Sequence, residues 1–221
     1  MPAQHTTGGK DPAKQLLEWI ERHRRAVITA VAAAAVMSAS VWFVIEYQRR
    51  KGAAAANALE RAKGAAQSGN LPLAASDLTR LISSYGGTLA ADEAVILRAQ
   101  IRLLQDQSTL AVDELRQAIE GGLDEQFVAP AYAMLGTALE TVGEMTQAGE
   151  AYENAANAAW YGFLSAQYLN DSGRAFRSAG NTARAVSAYE RVLRDFEDSP
   201  GAMEARVRLA ELKAASGAPA S

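Results

Sequence analysis

The sequence predicts an all-α chain: a single membrane-crossing helix followed by an α-solenoid of helix pairs. Three observations carry this. Alanine is abundant while β-branched and aromatic residues are modest, which favours packed helices over sheet. One twenty-residue run near the N-terminus carries no charge. From residue 69 onward, the sequence repeats itself at a fixed interval of 37 residues.

Taken in order, residues 1–11 read as a disordered tail. In 12–25, Asp11 and Pro12 supply an N-cap and first turn. Leu16, Leu17, Trp19, Ile20 and His23 then gather on one side of a short helix. That pattern suits an amphipathic juxtamembrane helix lying on the membrane surface, and equally a simple extension of the helix that follows. The run AVITAVAAAAVMSASVWFVI, 26–45, lies between Arg25 and Glu46. At about 1.5 Å per residue it spans roughly 30 Å, the thickness of a bilayer core. Trp42 and Tyr47 toward one end and Trp19 before the other suit interfacial anchors, and ERHRR and QRRK bracket the span, so 26–47 is read as a transmembrane helix.

Two other readings compete. Ser38-Ala39-Ser40 offers the small residues of a signal-peptide cleavage site, but 25 residues precede the run and VWFVI continues it. A buried soluble helix is rarely apolar all round with basic clusters at both ends. Orientation is not decided by charge: five Lys/Arg precede the span (10, 14, 22, 24, 25) and five follow it closely (49, 50, 51, 61, 63).

The charge balance excludes several function classes. Residues 1–51 hold eight Lys/Arg and four acids, net +4, while the remainder holds 14 and 21, net −7. An acidic domain is a poor partner for nucleic acid, whose phosphates need clustered positive charge. There is no cysteine, hence no disulfide framework, thiolate metal site or Cys nucleophile. The two histidines, His5 and His23, precede the repeats, so neither a His-based triad nor a His metal site assembles there. No Gly-rich phosphate loop, HExxH or Gly-x-Ser-x-Gly is present. The expectation is a non-enzyme with no cofactor, no metal and no small-molecule substrate.

The repeat occupies 53–215. GNLPLAASDLTRLI (69–82), DQSTLAVDELRQAI (106–119), GEMTQAGEAYENAA (143–156) and GNTARAVSAYERVL (180–193) align without slippage. A turn residue (Gly69, Asp106, Gly143, Gly180) leads to a small one (Ala74, Ala111, Ala148, Ala185). A large residue follows (Leu78, Leu115, Tyr152, Tyr189), then Leu81, Ala118, Ala155 and Val192. Each copy has an upstream helix with its own small position: Ala62, Ala99, Gly136 and Gly173. Small residues let two helices approach, and the large one fills the gap toward the next unit. No unit buries its apolar face alone, so stacking supplies the core. In DFEDSPGAMEARVRLAEL, Ser199 and Pro200 suit the start of a further helix. Met203, Val207 and Ala210 face one way there and Glu204, Arg206 and Arg208 face others, as in a capping helix. Residues 216–221 read as a frayed tail.

With its large residue, Leu-Gly, aromatic, then Ala, aromatic, Ala, the pattern resembles the tetratricopeptide repeat (TPR). The third copy (129–160) matches best and the fourth (166–199) nearly as well. The first two are degenerate: Arg98 stands where Leu is expected, and Ala65 and Arg102 replace the aromatic. The architecture expected is a TPR-like α-solenoid of about four helix pairs plus a C-terminal capping helix.

KQLLEWIERHRR leading into one span, an aromatic-rich exit (Trp42, Phe43, Tyr47) and Ala-rich degenerate repeats are similar to the ancillary SecYEG translocon subunit family of bacterial inner membranes. That resemblance implies an N-terminus in the cytoplasm and repeats in the periplasm. It implies a scaffold with translocon subunits and a periplasmic chaperone or unfolded polypeptide as partners. The C-terminal DFEDSPGAMEARVRLAEL looks more like TPR units of envelope proteins, so a division or envelope-assembly scaffold is the alternative. A self-associating structural module is a further one.

TPR arrays bind on the concave face lined by the first helix of each pair. In the fourth repeat that face carries Gln167, Asn170, Arg174 and Arg177, one stripe on a helix. Arg and Asn there suit a peptide's carboxylate or backbone amides. The corresponding positions include Thr137 and Glu140 in the third repeat and Gln100 in the second. The competing reading is a solvated polar face. Ile96 and Leu103 are either a patch for a partner helix or packing against the first repeat. Trp160-Tyr161-Gly162-Phe163 is either a binding anchor or a seal between stacked pairs.

Overall fold

The computed structural model describes Leu16, Trp19 and residues 21–215. The expected tails at 1–11 and 216–221, and half of the expected juxtamembrane helix, lie outside the described residues. Those described form nine α-helices and no strand. They are α1 (Arg24–Gln67), α2 (Leu71–Tyr85), α3 (Leu89–Leu104), α4 (Ser108–Gly121) and α5 (Glu125–Thr141). Then come α6 (Met145–Ala158), α7 (Gly162–Ser178), α8 (Thr182–Asp195) and α9 (Gly201–Ala215). The chain divides into two compact units, Met1–Arg50 and Lys51–Ser221.

In the first unit, α1 carries the uncharged run. It is the one described helix long and apolar enough to cross a membrane, and none of its apolar window is buried. The core helix of a soluble protein with this composition would be mostly covered. All three hydroxyls of the run bond back to their own helix: Thr29 Oγ1 to the Ala26 carbonyl at 2.9 Å, Ser38 Oγ to Ala34 and Ser40 Oγ to Val36, both at 2.8 Å. A hydroxyl satisfied this way presents no unmade hydrogen bond to an apolar medium.

In the second unit, the C-terminal part of α1 pairs with α2, then α3 with α4, α5 with α6, and α7 with α8, and α9 closes the stack. The turn series explains the period. Gly69, Asp106, Gly143 and Gly180 all have positive φ, between 58° and 85°, and each ends a first helix so that the second can fold back. The side chains of Asn70 and Asn181 then cap α2 and α8 by accepting from the backbone N–H of Leu73 and Arg184, each at 3.2 Å.

The small-position series is fully buried, as are Leu78, Leu115, Tyr152 and Tyr189 opposite it. Here the structure adds a size rule. Where the large residue is Leu, the facing first helix has Ala (Ala62, Ala99); where it is Tyr, it has Gly. A Cβ at Gly136 would lie 2.7 Å from the Tyr152 ring, and one at Gly173 2.6 Å from the Tyr189 ring. Between the third and fourth pairs, a Cβ at Gly149 would meet the Phe176 ring at 2.5 Å. Close-packed interiors leave no slack for such atoms.

The degenerate second repeat is held by charge. Arg98 and Arg102, where Leu and an aromatic are expected, both reach Glu114 on α4, at 3.0 and 3.2 Å. At the C-terminal end α9 is present, but its packed face is Ala202, Ala205, Leu209 and Leu212; Met203 and Val207 stay exposed. Two apolar stripes run along this helix, and the one with two leucines buries more surface. Ser199 does not cap it through its side chain; its carbonyl accepts from the Ala202 N–H at 3.0 Å instead.

Candidate protein-binding groove

The first helices of consecutive pairs lie side by side, and their outer turns carry the residues expected to bind. Three of these come together. Glu140 accepts from Arg174 Nη1 at 2.6 Å and from the Tyr152 hydroxyl at 3.2 Å, while Thr137 Oγ1 lies 3.1 Å from the same hydroxyl. Arg174 also donates to Asp171 at 3.1 Å. The network joins α5, α6 and α7. Burial pushes the Tyr152 phenol up to about 12, opposed by the Thr137 hydrogen bond and reinforced by the Glu140 charge. Burial likewise raises Asp171 above the usual carboxylate range, against the pull of Arg174. For Arg174, burial works against the charge, but hydrogen bonds to Glu140 and Asp171 outweigh it and raise its pKa.

The remaining expected residues separate. Arg177 Nη1 pairs with Glu211 of α9 at 2.9 Å. Asn170 is only 6% exposed and donates to the Gly201 carbonyl at 3.0 Å, tying α7 to the start of α9. Gln167 is exposed. Gln100 belongs to a different feature, an open groove of about 340 Å³ across α1, α3 and α5. Ile96, Leu97, Phe127 and Pro130 give this groove an apolar lining, and Lys63 and Glu93 pair within it at 2.7 Å. The hydrogen bond to Glu93 raises the Lys63 pKa, against partial burial. Ile96 and Leu103 are also partly packed against the core of the second and third repeats.

A second cleft, of about 90 Å³, adjoins this groove and shares Gln126 and Pro130 with it. Trp160, Tyr161, Leu164 and Tyr168 line it from the α6–α7 loop and α7, and Glu125 and Ala129 from α5. The aromatic loop does not seal the joint: Trp160, Tyr161 and Phe163 are all more than half exposed. Tyr161 and Phe163 stack, their ring centroids 5.7 Å apart. Sequence reasoning noticed the aromatics but not Glu125 and Phe127 of α5 or Lys63 of α1, two helices that no linear signal connects to the aromatic stretch. Among the described residues, no group of His, Cys, Asp or Glu is placed to hold a metal ion.

Residues 17–214 match the tetratricopeptide repeat-like domain family. The chain belongs to that family. No curated protein matches its sequence. Solved structures similar to it share the fold. The crystal structure of MamA is 18% identical, covering 71% of this chain and 84% of that one, with a TM-score of 0.56. A tetratricopeptide repeat protein from Parabacteroides merdae is 15% identical, over 74% of this chain and 61% of that one, with a TM-score of 0.58. A putative kinesin light chain with nearly identical TPR-like repeats, from Podosopora anserina, is 19% identical over 73% and 86%, with a TM-score of 0.56. At these identities the likeness establishes the TPR-like solenoid alone. That fold suggests a scaffold for protein–protein interaction.

Proposed function

We propose that this protein is a membrane-anchored TPR scaffold of the bacterial inner membrane, an accessory subunit of the Sec translocon that links it to periplasmic chaperones. Its N-terminus lies in the cytoplasm and its repeats in the periplasm. The observation that carries the anchor is the apolar run of α1, uncovered by protein and with every hydroxyl internally bonded. The open apolar groove across α1, α3 and α5 supports the binding role. The translocon assignment rests on the resemblance in layout: one span, an aromatic exit and degenerate Ala-rich repeats.

Protease added to spheroplasts tests the topology. Digestion of residues 52–221 in intact spheroplasts is expected. Digestion only after detergent places the repeats in the cytoplasm and refutes both the translocon and the envelope-scaffold readings. Photocrosslinking from position 100 or 127 then asks which subunit is adjacent. Adducts with translocon subunits or periplasmic chaperones are expected, and adducts with division or envelope-assembly proteins alone would replace the translocon by that alternative.

A further inference from the structure

We propose that the cleft between the first turns of α5 and α7 is a recognition site for a Lys or Arg side chain of a partner polypeptide. The inference rests on the scaffold reading and specifies the chemistry of what the groove takes. Three aromatic side chains, Trp160, Tyr161 and Tyr168, line the cleft together with the carboxylate-bearing Glu125. Aromatic faces carry negative quadrupole density and attract a cation, and a carboxylate at the same site adds direct charge attraction. The volume, about 90 Å³, is well below the roughly 300 Å³ at which pockets for whole small molecules begin, so it suits one side-chain head group.

Among the described residues no side-chain cation occupies the cleft: no Lys or Arg lines it. Glu125 forms no ion pair among the described residues, nor does Asp124 beside it or Asp92, which accepts from the Asp124 backbone N–H at 3.0 Å. The arginines of α7 and α8 are directed elsewhere: Arg174 to Glu140, Arg177 to Glu211, Arg184 to Glu150 and Glu153, and Arg191 and Arg194 to Asp195. Trp160, at 61% exposed, leaves a large apolar face in water that an occupant's aliphatic stem would cover.

The neighbouring groove fixes the rest of the partner. Through Gln126 and Pro130 the cleft continues into the surface formed by Ile96, Leu97 and Phe127. The occupant is therefore a polypeptide segment with apolar residues flanking one basic residue. An anionic ligand such as a lipid headgroup phosphate is opposed by Glu125, by the aromatic faces, and by the net charge of −7 over residues 52–221.

The test uses the full chain in detergent micelles over an array of immobilised 15-residue peptides. All are built on one Leu/Ser framework in several registers, with a single central position set to Lys, Arg, Gln, norleucine or Glu. Lys and Arg peptides are expected to be retained about tenfold better than Gln or norleucine peptides, and Glu peptides least, within the range cation–π contacts support. Trp160→Ala and Glu125→Gln, at surface positions whose folding is checked by circular dichroism, are each expected to erase that preference; Glu190→Gln, on α8, is expected to keep it. Retention indifferent to the central residue overturns the cationic site while leaving a polypeptide-binding groove in place. No retention of any peptide overturns both the cationic site and the groove as a polypeptide-binding surface, leaving the topology result untouched.

Discussion

Substituting Gly173 by alanine tests the size rule that sets how closely the helices of a pair approach. The added Cβ would lie 2.6 Å from the Tyr189 ring, inside the closest approach real Cβ atoms make. That ring is fully buried among Phe176, Ala185 and Val192 and cannot swing aside. Overpacking of this kind costs about 1–3 kcal/mol, while replacing a mid-helix Gly by Ala returns about 1 kcal/mol of helix propensity. The net expectation is a loss of about 1 kcal/mol, which for a chain of this size lowers Tm by about 2–4 °C. In a Tyr189→Leu background the same Ala faces Leu, as Ala99 faces Leu115, and only the propensity gain of about 1 kcal/mol remains. The coupling between the two sites is therefore about 2 kcal/mol, within the range found for residues in contact. Urea unfolding in micelles, followed by far-ultraviolet circular dichroism at constant m-value, gives all four corners of the cycle. If Gly173→Ala shifts stability equally in both backgrounds, or stabilises the wild type, the close-approach argument is wrong.

Four further outcomes follow from the same geometry. Asp106, the one non-Gly member of the turn series, holds φ at 58°, so Asp106→Gly should raise stability by about 0.5 kcal/mol and Gly180→Ala should lower it by about 1 kcal/mol, read from urea midpoints. Burial raises the Tyr152 phenol to about 12, so the folded state favours its neutral form. That contribution is whole below pH 10 and lost as pH rises toward 12, and Tyr152→Phe should flatten stability against pH in that window. Arg174→Met removes a half-exposed guanidinium from the mostly buried Glu140 and from Asp171, leaving the two carboxylates without their cation, and should lower stability by about 1–3 kcal/mol. Placing Asp at Val36 and Arg at Val41 adds about 5–7 kcal/mol to the insertion of the proposed span. Carbonate extraction should then release the protein, and continued retention would remove the anchor.

Much of this protein is determined by sequence alone, because the signals are local or strictly periodic. An uncharged run of bilayer length needs no partner to be read. A 37-residue repeat fixes the number of helix pairs, the turn positions and the buried small–large series, since each pair must satisfy the same packing with its neighbour. Even the pairing of Gly with Tyr and Ala with Leu is written in the aligned copies, though its meaning as a distance appears only when the rings are seen against the backbone. Tertiary structure decided what depends on side chains remote along the chain. Asn170, placed by its spacing on an open face, is covered because α9 docks over it. Arg98 and Arg102, apparent flaws in a repeat, share the carboxylate of Glu114 from the second helix. Of the two apolar stripes on α9, only contact with α8 and α7 selects the one carrying Leu209 and Leu212. The aromatic loop stands open beside Glu125 because helices from two repeats converge there, and linear spacing carries no record of that convergence.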